Sequence, residues 1–212
     1  MLTFQEERAA EREAMVRTQL EGRDIRDPKV LAALRAVPRH RFVPGAALAL
    51  AYGDHPLPLG PGQTISQPYI VAFMAQALGL EGGERVLEVG SGCGYGCAVL
   101  SLLAGEVCGL ELDPGLAGSS ARRLEDLGCG NVRVRCGDGA LGWPEGGPFD
   151  AVLLSCAAAE LPAPLWAQLG PGGRALFPRD AGMGHQDLVL LTRTPEGRCE
   201  QNLLAVAFVP LR

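Results

Sequence analysis

From Gly83 onward, short apolar runs alternate with stretches of helical periodicity, and few architectures accommodate that alternation other than β-α-β units wound around a mostly parallel sheet. Arg85-Val86-Leu87-Glu88-Val89 reads as the first strand, with Tyr95 to Leu103 as its helix. Val107 to Leu110 is the second strand, and Pro114 opens a helix that ends by Gly128. Val132 to Val134, Ala151 to Leu154 and Arg174 to Phe177 read as three further strands. After Asp187 the helical signal stops. Leu188 to Leu191 and Leu203 to Val209 flank the turn signal Thr194-Pro195-Glu196-Gly197, which predicts an antiparallel hairpin closing the sheet.

Residues 1–82 follow a different grammar and divide from a core at 83–212. A charged opening helix runs to about Leu20, and Asp27-Pro28 supplies an N-cap followed by proline at the first helical position. A third helix is expected from Pro68 to Leu78, with Gly79 as its C′ residue. Between them, Gly53 to Gln67 is so rich in proline and glycine that it reads as a long ordered loop without a regular element, and loops of that length in compact domains are usually functional.

Composition excludes several classes. The 29 glycines and 16 prolines in 212 residues stay below the roughly 25–30% of chain that marks low complexity. A net charge of −5 with no block of like sign argues against a dedicated nucleic-acid surface. The seven cysteines form no C-x-x-C pair and His40, His55 and His185 are scattered, so no metal spacing is present. An odd cysteine count, a charged N-terminus and no long uninterrupted apolar run lead us to expect a soluble cytoplasmic protein with no membrane contact. A monomer is the accompanying expectation, which no sequence feature fixes.

The chemistry concentrates in Glu88-Val89-Gly90-Ser91-Gly92-Cys93-Gly94, a glycine turn between the first strand and its helix. The dinucleotide pattern G-x-G-x-x-G fails in every register, ending on Tyr95, Cys97 or Val99, and no Gly-Lys-Ser/Thr phosphate loop exists. What remains is E-x-G-x-G-x-G, which resembles motif I of the S-adenosylmethionine-dependent methyltransferases. Glu111 ends the second strand, where a carboxylate can accept hydrogen bonds from both ribose hydroxyls, and Gly137-Asp138-Gly139 follows the third.

A longer resemblance narrows the family. Gly60-Pro61-Gly62-Gln63-Thr64-Ile65-Ser66-Gln67-Pro68 is similar to the signature of the protein-L-isoaspartate O-methyltransferases, with collinear blocks at Met15 to Leu20, Val37 to Pro44, Ala51 to Asp54, Pro148 to Asp150 and Phe208 to Leu211. The resemblance implies a Rossmann-like methyltransferase fold with an N-terminal helical extension. It also implies methyl transfer to the free α-carboxylate of L-isoaspartyl residues in damaged peptides and proteins, with S-adenosylhomocysteine as coproduct and no metal. By the same carry-over Ser66 is the active-site residue. Thr64, Ile65, Gly90, Ser91, Gly92, Cys93, Gly94, Glu111, Asp138 and Gly139 serve the cofactor, and Leu57, Pro58 and Leu59 wall the substrate side. Read without the resemblance, Ser66 is a cap or pre-cap residue for the helix at Pro68, and residues 57–59 are core packing.

Departures from the family pattern fall in two places. Cys93 and Gly96 stand where many relatives carry Ser or Thr and Gln, which keeps the loop small. Ser155-Cys156-Ala157-Ala158 and Ala207 replace the residues expected at the substrate rim, which leaves open a paralogue that esterifies another carboxylate. A nucleic-acid methyltransferase would carry an Asn/Asp-Pro-Pro-aromatic motif, and none is present.

Overall fold

The computed structural model describes residues 7–60 and 62–212. The N-terminal segment forms α1 (Ala9–Met15), continuing as a π-helical turn at Val16–Glu21, and then α2 (Pro28–Ala36). Asp27 caps α2 as expected, its carboxylate accepting from the Lys29 N–H at 2.8 Å. Helix α3 (Pro68–Leu78) ends on Gly79 at φ 58°, the left-handed conformation a C′ glycine supplies.

The stretch expected to be an irregular loop contains a β-hairpin. Strand β1 (Leu57–Gly60) pairs antiparallel with β2 (Gln63–Ile65), and Gly62 turns between them at φ 70°. Pro58 is tolerated because a two-stranded ribbon has only edges, where a missing donor is not needed.

Seven strands form the main sheet: β3 (Arg85–Val89), β4 (Glu106–Glu111), β5 (Val132–Cys136), β6 (Phe149–Leu154), β7 (Leu169–Gly182), β8 (His185–Thr194) and β9 (Gly197–Val206), in the order β5-β4-β3-β6-β7-β8-β9. Pairs up to β7 are parallel, whereas β7–β8 and β8–β9 are antiparallel. Helix α4 (Tyr95–Leu100) is shorter than its apolar run, α5 (Pro114–Asp126) starts on the Asp113 cap, and a short α6 (Ala163–Ala167) lies in a Pro-rich stretch that gave no helical signal. The last strand also differs from expectation. It begins at Gly197 rather than Leu203, because the polar run Cys199-Glu200-Gln201-Asn202 lies exposed on the sheet edge and so shows no apolar alternation. It ends at Val206, and the chain then turns back to bridge Ala157 through Pro210.

Alternation along β3 divides the core between the two faces of the sheet. Val86 joins the cluster that holds Leu20, Leu34, Val99 and Leu124, while Leu87 and Val89 join Val152, Leu165 and Phe177 on the other side. The N-terminal helices therefore share an apolar core with α4 and α5. Strand order reverses at β3, with β4 on one flank and β6 on the other. Open α/β sheets bind ligands at that switch point, outside the strands' carboxyl ends.

Candidate active site

The turn leaving β3 is fixed before any ligand arrives. Gly90, Gly92 and Gly94 take φ of 75°, 54° and 88°, which L side chains adopt only with strain. The Gly90 and Ser91 N–H groups both donate to the Leu110 carbonyl, at 2.8 and 3.0 Å, tying the turn to the end of β4. There Glu111, 6% exposed, accepts from the Gly92 N–H and the Asp113 N–H, each at 2.9 Å. Two backbone donors hold the carboxylate against the base of a cavity of about 520 Å³. Gly90, Gly92, Leu112, Gly139 and Cys156 line it, closed on one side by Leu59 and Thr64 of the hairpin and on the other by Val209 to Arg212.

A smaller cleft of about 50 Å³ adjoins it. Ser66, Tyr95, Cys93 and Glu88 line this cleft, and it shares Thr64, Gly90, Gly92 and Ser155 with the large cavity. Glu88 is 3% exposed and accepts from the Ser155 hydroxyl on Oε1 at 2.9 Å, while its Oε2 has no partner among the described residues. Burial pushes its carboxyl up to about 7, against hydrogen bonds from Cys97 and Ser155 that lower it, with the Glu111 charge raising it further. Gly96 makes room for that carboxyl: a Cβ there would lie 2.2 Å from Glu88 Oε1.

Ser66 stands one residue before the N-cap of α3, in the pre-cap position. Gln67 is the N-cap and makes no side-chain cap bond, and the half-buried Ser66 lines the cleft. At this point the molecule joins a glycine cradle, an acid fixed in the wall of a cavity of about 520 Å³, and a serine presented by a hairpin-helix junction. A family model described as protein-L-isoaspartate(D-aspartate) O-methyltransferase matches residues 10–212. The chain belongs to that family.

Relatives named protein-L-isoaspartate O-methyltransferase include one from Anaeromyxobacter sp. (strain Fw109-5), 58% identical over 95% of this chain and 83% of its own length. Another, from Rhodopseudomonas palustris (strain HaA2), is 54% identical over 96% of this chain and 83% of its own. A solved protein-L-isoaspartate O-methyltransferase superposes on 94% of this chain with TM-score 0.86 at 29% identity, and this chain spans 65% of its length. A Plasmodium falciparum structure described as a protein-L-isoaspartate O-methyltransferase in complex with S-adenosyl-L-homocysteine gives TM-score 0.83 at 25% identity, covering 95% of this chain and 98% of that one.

Within this isoaspartate methyltransferase fold the residues singled out from the sequence take three kinds of position. Thr64, Gly90, Gly92, Glu111, Gly139 and Leu59 border the large cavity, and Ile65, Ser66, Ser91 and Cys93 border the small cleft. Gly94 packs instead, since a Cβ would meet Leu124 at 3.0 Å and Ser120 at 3.2 Å. Leu57, 3% exposed, packs in the core; Pro58 is exposed; Asp138 is exposed and caps a 3₁₀ turn by accepting from the Ala140 N–H at 2.8 Å. Asp54 bonds Arg23 at 2.7 Å and His55 the Pro56 carbonyl at 3.1 Å, so these neighbours do not pair with each other. Ser155 and Cys156, expected at the substrate rim, also line the large cavity, as do Val209 to Leu211 of the C-terminal family block and Arg212. Sequence reasoning gave the cavity wall no residue from the tail, because the tail reaches it only by crossing β6. Cys156 is 6% exposed and burial pushes its thiol up to about 12, which makes it a neutral wall and not a nucleophile.

Proposed function

We propose that this chain transfers the methyl group of S-adenosylmethionine to the free α-carboxylate of L-isoaspartyl residues in damaged peptides and proteins. The observation that carries this reading is the sharing of Thr64, Gly90, Gly92 and Ser155 between the cavity edged by Glu111 and the cleft edged by Ser66. The cavity fits the cofactor: Glu111 offers a fixed acceptor for ribose hydroxyls, and Gly92 leaves backbone facing open space, its nearest obstacles to a Cβ lying 3.9 Å or more away. When bound, S-adenosylmethionine supplies an electrophilic methyl group on a sulfonium.

The chain's own residues have little proton chemistry to perform. A carboxylate of pKa ~4 is already ionised at neutral pH, so no general base is required. Ser66 donates a hydrogen bond to one oxygen of the substrate carboxylate and leaves the other free to attack. The hairpin and the tail exclude water around it, so rate enhancement comes from proximity and desolvation. The methyl ester then closes spontaneously to a succinimide, whose hydrolysis returns some normal aspartate. Residues 1–82 contribute the hairpin and Ser66, and 83–212 the cofactor cradle. The enzyme acts as a monomer on cytoplasmic peptides and proteins, without nucleic acid, membrane or metal.

The test is transfer of labelled methyl from S-adenosylmethionine to an isoaspartyl peptide, with the matching aspartyl peptide as control. Labelling of the isoaspartyl peptide alone is expected, and equal labelling of both or of neither overturns the reading. A second reading, esterification of a different carboxylate, rests on Ser155 to Ala158 and Ala207 at the rim. It requires that the isoaspartyl peptide stay unlabelled while another carboxylate is methylated.

A further inference from the structure

One strong cation in the interior has no counter-ion. Arg39 is 0% exposed, and its Nε donates to the Ala51 carbonyl at 2.9 Å. Nη1 and Nη2 make no hydrogen bond of normal geometry among the described residues. Burial lowers its pKa, and the groups that favour its charge are Tyr95, Cys93 and Tyr52, with no carboxylate among them. Arginine keeps its proton even so, and a buried charge without a partner costs several kcal/mol.

The field of this charge falls on the cleft at Ser66. The guanidinium carbon lies 4.9 Å from the centroid of the Tyr95 ring, which Phe42 holds edge-on at 5.4 Å. Tyr95 and Cys93 line the cleft beside Ser66. Tyr95 is 1% exposed, its hydroxyl has no partner of normal geometry, and burial pushes its pKa up to about 12, so it is a neutral donor. The cleft is polarised. Burial pushes the Cys93 thiol in its wall up to about 11, Arg123 and Arg39 lower it, and Glu88 raises it. The same two arginines favour an anion in the cleft, and an ionised Glu88 opposes it.

We propose that Arg39 is a positioning residue for the substrate, its guanidinium supplying, through the Tyr95 hydroxyl, the counter-charge for the carboxylate held beside Ser66. This rests on the isoaspartyl reading above. The carboxylate keeps one oxygen on Ser66, with the buried Tyr95 hydroxyl behind the cleft wall carrying the influence of Arg39, and the remaining oxygen is directed at the cofactor cavity.

The experiment compares an isoaspartyl peptide with its α-carboxamide analogue, which keeps the shape and loses the charge, as ligands of the enzyme loaded with S-adenosylhomocysteine. Wild-type protein is expected to favour the carboxylate. Arg39→Gln is expected to lose about tenfold of that preference, with affinity for the carboxamide and for S-adenosylhomocysteine changed less than about twofold. Arg39→Lys restores part of the preference. Tyr95→Phe, which keeps the ring and its packing, loses about threefold and decides the matter where Arg39→Gln does not fold. The inference is overturned when carboxylate and carboxamide weaken equally, when the variants keep the full preference, or when S-adenosylhomocysteine binding falls instead. A wild-type enzyme that fails to methylate the isoaspartyl peptide overturns the substrate reading, whereas a preference that survives both substitutions overturns the Arg39 inference alone.

Discussion

At the floor of the large cavity every functional group is tied down by the sheet: Glu111 accepts from two backbone N–H groups, and the glycine turn donates twice to Leu110. At the rim the ties are fewer and span greater distances along the chain. The tail is held to Ala157 by the Ala157 N–H to Val209 carbonyl bond at 2.8 Å and the Leu211 N–H to Ala157 carbonyl bond at 2.7 Å. The hairpin that presents Ser66 is a two-stranded ribbon, an element with little independent stability. The difference separates two tasks. The floor must meet one unchanging ligand and is preorganised for it, whereas the rim must admit an isoaspartyl residue within many different chains.

The comparison breaks most sharply at Glu111. Glu111→Ala removes an acceptor already aligned by two donors, and a charged hydrogen bond contributes about 1.5–3 kcal/mol. Affinity for S-adenosylhomocysteine is expected to fall about 300-fold, roughly 3.4 kcal/mol, by calorimetry. A loss under tenfold would mean that the floor is no more preorganised than the rim.

Next in size is a pH dependence set by Glu88, which is buried at the end of β3 and borders the small cleft. With its folded pKa raised to about 7 from the ordinary 4.5, Glu88 keeps its proton in the native state where the unfolded chain has released it. Its contribution is fully present below pH 4.5 and is lost as pH rises through about 7. The unliganded protein should therefore lose about 3 kcal/mol of stability over that window. Denaturant titrations from pH 4.5 to 7.5 measure the slope, and Glu88→Gln should flatten it. A slope that survives the substitution assigns the titration elsewhere.

These two sites also mark how far the sequence could be read. The glycine turn, Glu111 and the strands from β3 to β7 are legible because each is a local pattern: an apolar run, a turn residue, an acid at a strand end. The Asp27-Pro28 cap is legible for the same reason. The hairpin at 57–65 is not, since Pro58 and Gly60 mask its alternation and its pairing is exposed on both edges. Nor is the seat of Glu88, which needs Ser155, 67 residues away, and the absent side chain of Gly96. Arg39 is hidden for the opposite reason. Nothing local distinguishes a buried arginine from the exposed ones around it.

Ser66 tests the rim directly. On the proposed function Ser66→Ala removes one donor to the substrate and none to the floor, so turnover on an isoaspartyl peptide should fall about 30-fold or more while S-adenosylhomocysteine affinity moves less than about twofold. An equal loss in both would show that rim and floor are one cooperative unit.

The smallest effect is expected where the two parts of the rim meet. Gly62 turns the hairpin at φ 70°, and a Cβ there would lie 3.1 Å from Nη2 of Arg212, the last residue of the tail. Gly62→Ala faces a left-handed backbone penalty of roughly 1 kcal/mol together with contact against a flexible guanidinium that can swing aside. Because Leu57 and Ile65 anchor the ribbon in the core away from its turn, the strain is expected to be absorbed locally. The peptide KM should rise about threefold, S-adenosylhomocysteine affinity should fall less than that, and global stability should change by less than about 1 kcal/mol. A large drop in stability would place the hairpin in the same rigid frame as Glu111. A threefold KM effect alone would confine the mobility needed for varied substrates to the hairpin and the tail.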